Sequence, residues 1–206
     1  NVGIYPINQG SLTLSSNYAI NFTGANLTIT KATLTATADD KSMIAGDPDP
    51  VFTITYTGFK FGETASVIDT PPTAFVLVPH TLATTYQITV SGGLDNNYDF
   101  SYVSGTLNVV PAPIAKLVVS ASPSTLTTSQ TSTITVTGKD QYENDTLNQS
   151  GTVVIVSADN GGALGATILT LTNGIANTTL NKISAGVVNV TASSGSLTPG
   201  TIQVTF

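Results

Sequence analysis

The chain contains no cysteine, so disulfide staples, thiolate catalysis and Cys-ligated zinc are excluded, and the redox compartment leaves no mark. Arginine is absent too: the six basic residues are all lysines, and the formal net charge is −6. Nothing therefore supplies the concentrated basic footprint that nucleic acid demands. His80 is the only histidine, whereas a triad or a zinc centre needs several preorganised partners. It follows Pro79 and is expected as an exposed loop residue. Charged residues make up only 9% of the chain, against roughly 25% in ordinary soluble domains. Thr, Ser and Asn cover the surface instead, a composition that suits a module outside the cell. No run approaches the ~20 apolar residues of a membrane span, so no membrane insertion is expected. The chain opens at Asn1 rather than Met and reads as a mature portion or a fragment.

Hydrophobic residues make up 40% of the 206 positions, enough for about two domains with cores of their own. A loose internal repeat organises them. Ser16–Ala32, SNYAINFTGANLTITKA, returns 80 residues later at Asn96–Ala112 as NNYDFSYVSGTLNVVPA. Asn17/Asn97, Tyr18/Tyr98, Leu27/Leu107 and Ala32/Ala112 are identical, and Ile20/Phe100, Phe22/Tyr102 and Ile29/Val109 keep their apolar character. Upstream, YPI at Tyr5–Ile7 matches YQI at Tyr86–Ile88 after one inserted residue. Each copy reads as strand, glycine turn, strand, and such spacing implies an array of similar modules.

In chain order, the first thirty residues predict strands at Ile4–Ile7, Tyr18–Phe22 and Leu27–Ile29. Leu34, Ala36 and Ala38 alternate with threonines in a half-buried strand at Thr33–Ala38. DDKSMIAGDPDP then breaks it, its Asp47-Pro48 and Asp49-Pro50 steps marking an extended loop. Phe52, Ile54 and Tyr56 alternate next. Glu63–Ile68 is the one helical candidate, a turn or two ending before Pro71-Pro72. Strands follow at Ala74–Val78, Tyr86–Val90, Tyr98–Tyr102 and Leu107–Val110. The aromatics Phe52, Tyr56, Tyr86, Tyr98, Phe100 and Tyr102 mostly share the inward phase, which favours a core over a sugar-binding platform. Pro111–Lys116, PAPIAK, reads as a short, stiff boundary. Beyond it, seven candidate strands (Leu117–Ala121, Ser132–Thr137, Thr152–Val156, Ile168–Leu171, Ala176–Leu180, Gly186–Thr191 and Thr201–Phe206) have the spacing of a Greek-key sandwich.

Chemistry is sparse. Asp39, Asp40, Asp47 and Asp49 fall in one loop, and Asp140, Glu143, Asp145 and Asp159 are candidates to converge at one sandwich end. Both sets are read as solvated acidic loops, with structural calcium as the alternative, although neither has EF-hand spacing. Ser15, Ser91 and Ser104 are turn serines outside any G-x-S-x-G context. Asn21, Asn26, Asn144, Asn148, Asn177 and Asn189 head N-x-S/T sequons, which act only where the glycosylation machinery exists. No catalytic, cofactor-binding or metal residue is assigned, no cofactor is expected, and the chain is read as not an enzyme.

The stretches KATLTATADDKSMIAGDPDP, TYTGFKFGETAS and ITVSGGLDNNYDFSYVSGTLNV resemble the MBG domain, the YGX-type repeat of large bacterial surface proteins. Ala45-Gly46 stands where that family usually has a tyrosine before the glycine. The C-terminal stretches TITVTGKDQYENDTLNQSGTVVIVSADNGG and LTNGIANTTLNKISAGVVNVTASSG resemble the bacterial Ig-like group 1 of invasin and intimin type, with Lys139–Asn144 in the place of its polar turn. The resemblances imply a mostly β chain of tandem small domains: 1–30 as the tail of a preceding MBG-like repeat, 31–112 as an MBG-like domain with one short helical turn, and 113–206 as an Ig-like Greek-key β-sandwich. They also imply an extracellular setting, secreted or on a bacterial cell surface, with neighbouring repeats of the same polypeptide as partners. The expected role is a stalk or spacer of an adhesin-like protein. The alternatives are a module binding host or environmental glycan or protein, and an accessory region of a secreted hydrolase.

Overall fold

Alternating Thr and small apolar residues produce the first long strand. In the computed structural model, which describes residues 1–206, Ala32–Ala38 buries Leu34, Ala36 and Ala38 and turns its threonines outward. Seventeen strands make up nearly all the regular structure. In chain order they are β1 Gly3–Ile7, β2 Ala25–Ile29, β3 Ala32–Ala38, β4 Lys41–Ile44, β5 Ile54–Thr57, β6 Thr73–Phe75, β7 Thr85–Ser91, β8 Tyr98–Val103 and β9 Gly105–Val110. Then follow β10 Lys116–Ser122, β11 Thr131–Lys139, β12 Val153–Ala158, β13 Ala163–Leu164, β14 Ile168–Thr170, β15 Ile175–Asn181, β16 Val187–Ser193 and β17 Gly200–Thr205. The chain divides into two compact units, Asn1–Lys41 with Val51–Val78 and Gln87–Leu107, and Ser42–Pro50 with Pro79–Tyr86 and Asn108–Phe206.

In the first unit, β1 and β2 form an antiparallel ribbon. A three-stranded sheet runs β5-β3-β8, with β3 and β8 parallel from Ala32↔Tyr98 to Thr37↔Val103. Leu34, Ile68 and Tyr98 are buried together, flanked by Ala32, Tyr56, Phe59 and Phe100. Phe59 meets Tyr98 edge-on at 5.6 Å between ring centres, a favoured aromatic geometry. β6 pairs antiparallel with β7 over Thr73–Phe75.

The second unit is dominated by a sandwich of two four-stranded sheets, β10-β11-β15-β13 and β14-β12-β16-β17. β11 pairs with β15, and β12 with β16, so sequence neighbours are split between sheets in the Greek-key manner. Without disulfide or tryptophan, the interior is aliphatic: Ile134, Val136, Val154, Val156, Leu171, Leu180, Val188, Val190 and Val204 are all essentially inaccessible. The fold is thus mostly β, an Ig-like sandwich following the smaller β module. All seven C-terminal strands expected from the sequence are present.

Four local expectations are corrected. Tyr18–Phe22 is irregular, with Tyr18 and Phe22 exposed. Its counterpart Tyr98–Val103 is held as a strand by β3 alongside it, and Tyr18–Phe22 has no strand beside it in this chain. The acidic stretch is not one continuous loop, because Lys41–Ile44 forms β4 with Met43 buried, and the irregular parts are Asp39-Asp40 before it and the turn and Asp-Pro steps after it. Glu63–Ile68 yields just a single 3-10 turn at Ala65–Val67, since so short a segment cannot repay helix nucleation. The strand expected at Ala74–Val78 covers only Thr73–Phe75, the extent over which β7 offers it partners.

Candidate functional site

Seven of the eight carboxylates that invited a chemical reading have a structural partner; Asp47 contributes only its backbone N–H, to the Ile44 carbonyl. Asp39 accepts hydrogen bonds from the Thr53 and Thr55 hydroxyls at 2.5 and 2.7 Å, and these hold its pKa below the ordinary value. Asp40 accepts from the Thr106 hydroxyl and backbone N–H, with the same effect. Asp49 meets His80 Nε2 at 2.5 Å. His80 is half-buried rather than the exposed residue expected, because its ring also packs against Tyr86 at 5.7 Å. In the sandwich, Asp159 binds the backbone N–H and side-chain amide of Asn189, which lower its pKa. Glu143 pairs with Lys116, and Asp145 with Lys139 at 2.6 Å. No three of these groups come together in a cluster able to hold a metal ion.

The most concentrated polar arrangement is the turn Asp140–Asn144. Asp140 is fully buried at the end of β11. Its Oδ1 accepts the backbone N–H groups of Tyr142 at 2.8 Å and Asn144 at 2.9 Å. Its Oδ2 accepts the Asn144 amide at 2.8 Å and the Ala112 N–H at 3.0 Å. Burial alone raises the pKa of this carboxyl, yet the bonds from Asn144, Ala112 and Tyr142 outweigh it and keep the group below its ordinary value. A general acid must give up a proton to an accessible substrate. Asp140 is ionised and sealed from solvent, so it serves as an anchor.

The anchor fastens what lies around it. Asn144 receives the Ala83 N–H on Oδ1 at 2.8 Å and donates its amide to the Thr81 carbonyl at 2.9 Å. Gln149 donates to the Ala112 carbonyl and accepts from the Ile114 N–H. Ala115 N–H reaches the Lys139 carbonyl, and the Ala115 carbonyl accepts from Thr198. Tyr142 lies directly against Gly46, whose φ is +85°. A Cβ there would fall 1.9 Å from the Tyr142 hydroxyl, so any other residue would displace the Tyr142 ring as well as strain the backbone. The stretch Pro111–Lys116 is consequently stitched down along its length. Sequence reasoning placed the polar turn at Lys139–Asn144 but missed the burial of Asp140; the D-x-x-x-N spacing, an acceptor followed by two nearby N–H donors, was the available signal.

A second buried aspartate, Asp95, works alike in the first unit, accepting the N–H groups of Asn97 and Tyr98 at 2.7 and 3.0 Å. Tyr98 is sealed beneath its ring contacts, and its hydroxyl donates to Glu63 at 2.5 Å while accepting the Lys60 N–H. Phe52, Tyr56, Tyr86 and Phe100 are half-buried, as the inward phase predicts; Tyr102 is exposed and stacks on Phe100. Phe61 is also fully exposed, at φ +54°. A cleft of about 210 Å³ lies among Val2, Ile29, Lys60, Glu63, Asn97 and Tyr98, smaller than the roughly 300–1,000 Å³ of ordinary ligand sites.

The family model of the MBG domain (YGX type) matches residues 34–108. That segment is similar to the MBG family. Ala45, where the family pattern expects tyrosine, is buried in the MBG domain next to the glycine that Tyr142 covers. Among curated proteins no relative matches the chain. Solved structures of similar fold include domain D00–D0 of intimin (15% identity, TM-score 0.43, 86% of this chain and 93% of that one). The Yersinia pseudotuberculosis adhesin InvE is similar at 16% identity and TM-score 0.40, covering 85% and 60%. A glycosyl hydrolase family 2 member from Bacteroides cellulosilyticus is similar at 16% identity and TM-score 0.44, over 62% of this chain and 19% of the enzyme. The chain therefore spans about a fifth of that hydrolase. No helix is long and apolar enough to cross a membrane.

Proposed function

We propose that the chain is a non-catalytic stalk or spacer segment of a large extracellular bacterial protein of adhesin type. The observation that carries this reading is the stitching of Pro111–Lys116 around Asp140 and Gln149. The sequence marks this stretch as a boundary, whereas its polar backbone groups are tied into the second unit, so it is built as structure and not as a solvated strip. The MBG family and the internal repeat support a structural part in an array of domains. The use of Asp39, Asp40, Asp140 and Asp159 to fasten turns and strand ends supports a structural part as well.

The test places none, one or two copies of residues 1–206 between a cell-surface anchor and a reporter domain of known ligand. Capture of ligand across a fixed gap should rise with copy number, and cells displaying the chain without the reporter should capture nothing. Saturable capture of glycan or protein by the chain alone overturns the stalk reading. Outward-facing Phe61 and the stacked pair Phe100–Tyr102 favour a glycan- or protein-binding module as the second reading. In that case Phe61→Ser or Tyr102→Ser would abolish the capture.

A further inference from the structure

The two copies of the repeat carry the same residues in opposite states. Tyr98 is 3% exposed and its counterpart Tyr18 is 72% exposed; Leu107 is 0% and Leu27 is 53%; Val109 is 2% and Ile29 is 39%. Ile88, at 0%, answers to Ile7 at 49%. The ribbon register explains why these exposed residues form a surface rather than a scatter. Gly3↔Ile29, Tyr5↔Leu27 and Ile7↔Ala25 are directly opposed, and side chains two apart on a strand share a face. Tyr5, Ile7, Leu27 and Ile29 therefore form one apolar face of β1–β2.

The MBG domain shows in this same chain what covers such residues. Tyr98 is sealed by Leu34 and Ile68, with Ala32, Tyr56 and Phe59 packed around them. Its strand is held in parallel by β3, and its hydroxyl is bound by the turn at Lys60–Glu63. Every one of these groups lies in residues 32–68. No second segment of that kind stands against Tyr18.

We infer that residues 1–30 are the C-terminal half of a second module of this fold, completed by a β segment of the Ala32–Ile68 type carried ahead of them in the same polypeptide. That segment supplies a strand to pair in parallel with Tyr18–Phe22 and an aromatic turn to close over Tyr18. A second copy of this chain is a poor occupant, because its own residues 32–68 are already committed to Tyr98. The inference does not rest on the stalk reading: a glycan-binding array would need the same complement.

The test adds residues 31–81 of this sequence ahead of Asn1 in the full chain. Tyr5 answers to Tyr86, so Asn1 then follows in the register that residue 82 has in the MBG domain. Hydrogen exchange is compared with the 206-residue protein. Amides of 18–22 and 25–29 should slow by at least about a hundredfold as they enter a cooperative unit, while those of 98–103 and 188–190 stay unchanged. Changing the residues of the added segment that copy Leu34, Tyr56 and Phe59 to Ser should abolish the gain, and so should Tyr18→Ala. Unchanged exchange at 18–29 in a protein whose 98–103 amides remain protected overturns the inference. Protection of 18–29 that rises with concentration in the unextended chain, together with dimers in sedimentation, also overturns it by making a second copy the occupant.

Discussion

Removing the Asp140 carboxylate is the sharpest perturbation this structure offers. Asp140→Ala leaves the Ala112 N–H, the Tyr142 N–H and both donors of Asn144 without their acceptor. Tyr142 is only partly buried, so water can replace its partner; Ala112 and Asn144 are buried and stay unsatisfied. At about 1–2 kcal/mol for each of three stranded donors, the sandwich should lose roughly 3–6 kcal/mol. Native-state exchange at Ile134–Val136 and Val188–Val190 reads the second unit separately from the first, and the loss should speed exchange there by about a thousandfold at 1.4 kcal/mol per tenfold. Asp140→Asn should rescue little: its one carbonyl oxygen serves one pair of donors, and its NH₂ faces the other pair donor to donor. The pH dependence has a definite sign. A carboxyl whose folded pKa is depressed contributes stability that is fully present above its unfolded value of ~3.9 and disappears as pH falls through the lower folded value. Wild type should therefore keep losing stability below pH ~4, whereas Asp140→Asn should lose that part of the slope. A change under about 1 kcal/mol in either variant, or identical acid profiles, would refute the anchor role.

Two further outcomes follow from burial. Leu107→Ala should cost about 2–5 kcal/mol by urea denaturation, and Leu27→Ala at the matching repeat position less than about 0.5 kcal/mol in the 206-residue chain; equal effects would show that the ribbon face is already covered. Expressed in a glycosylating host, the chain should carry glycans at exposed Asn21, Asn26 or Asn148 and none at buried Asn144, and site mapping by mass spectrometry of a folded fraction glycosylated at Asn144 would contradict the anchoring of its amide.

Much of the fold was legible because the strands of the sandwich alternate cleanly. Ile134 and Val136, Val154 and Val156, and Val188 and Val190 each bury alternate positions, and that period survives whatever the strands pack against. The anchoring turns were not legible to the same degree. Asp95 and Asp140 look like solvated turn aspartates in a string of letters, and only the arrival of distant N–H groups, such as that of Ala112, decides that they are buried acceptors. β4 was missed for a related reason. Two Asp-Pro steps in the same stretch outweighed the single apolar residue, Met43, that the strand turns inward.

The repeat locates the limit of local reading within one chain. Asn17-Tyr18 and Asn97-Tyr98 are the same dipeptide, followed in both cases by alternating apolar residues, so any rule confined to neighbouring residues must assign them the same structure. They differ because Tyr98 meets β3 and the Lys60–Glu63 turn and Tyr18 meets neither. Strand propensity is largely a measure of what a pleated face packs against, and here the face is the same while the packing partner is not. The difference extends to the turn ahead of the strand. Asp95 caps Asn97 and Tyr98 through its carboxylate, whereas the matching position holds Ser15, whose backbone carbonyl accepts the Tyr18 N–H at 3.1 Å. The first copy thus keeps a weaker version of the turn without the strand it introduces. A strand addressed to a partner must supply its pattern in its own sequence, but the burial that makes the pattern matter is supplied by the segment on the other side.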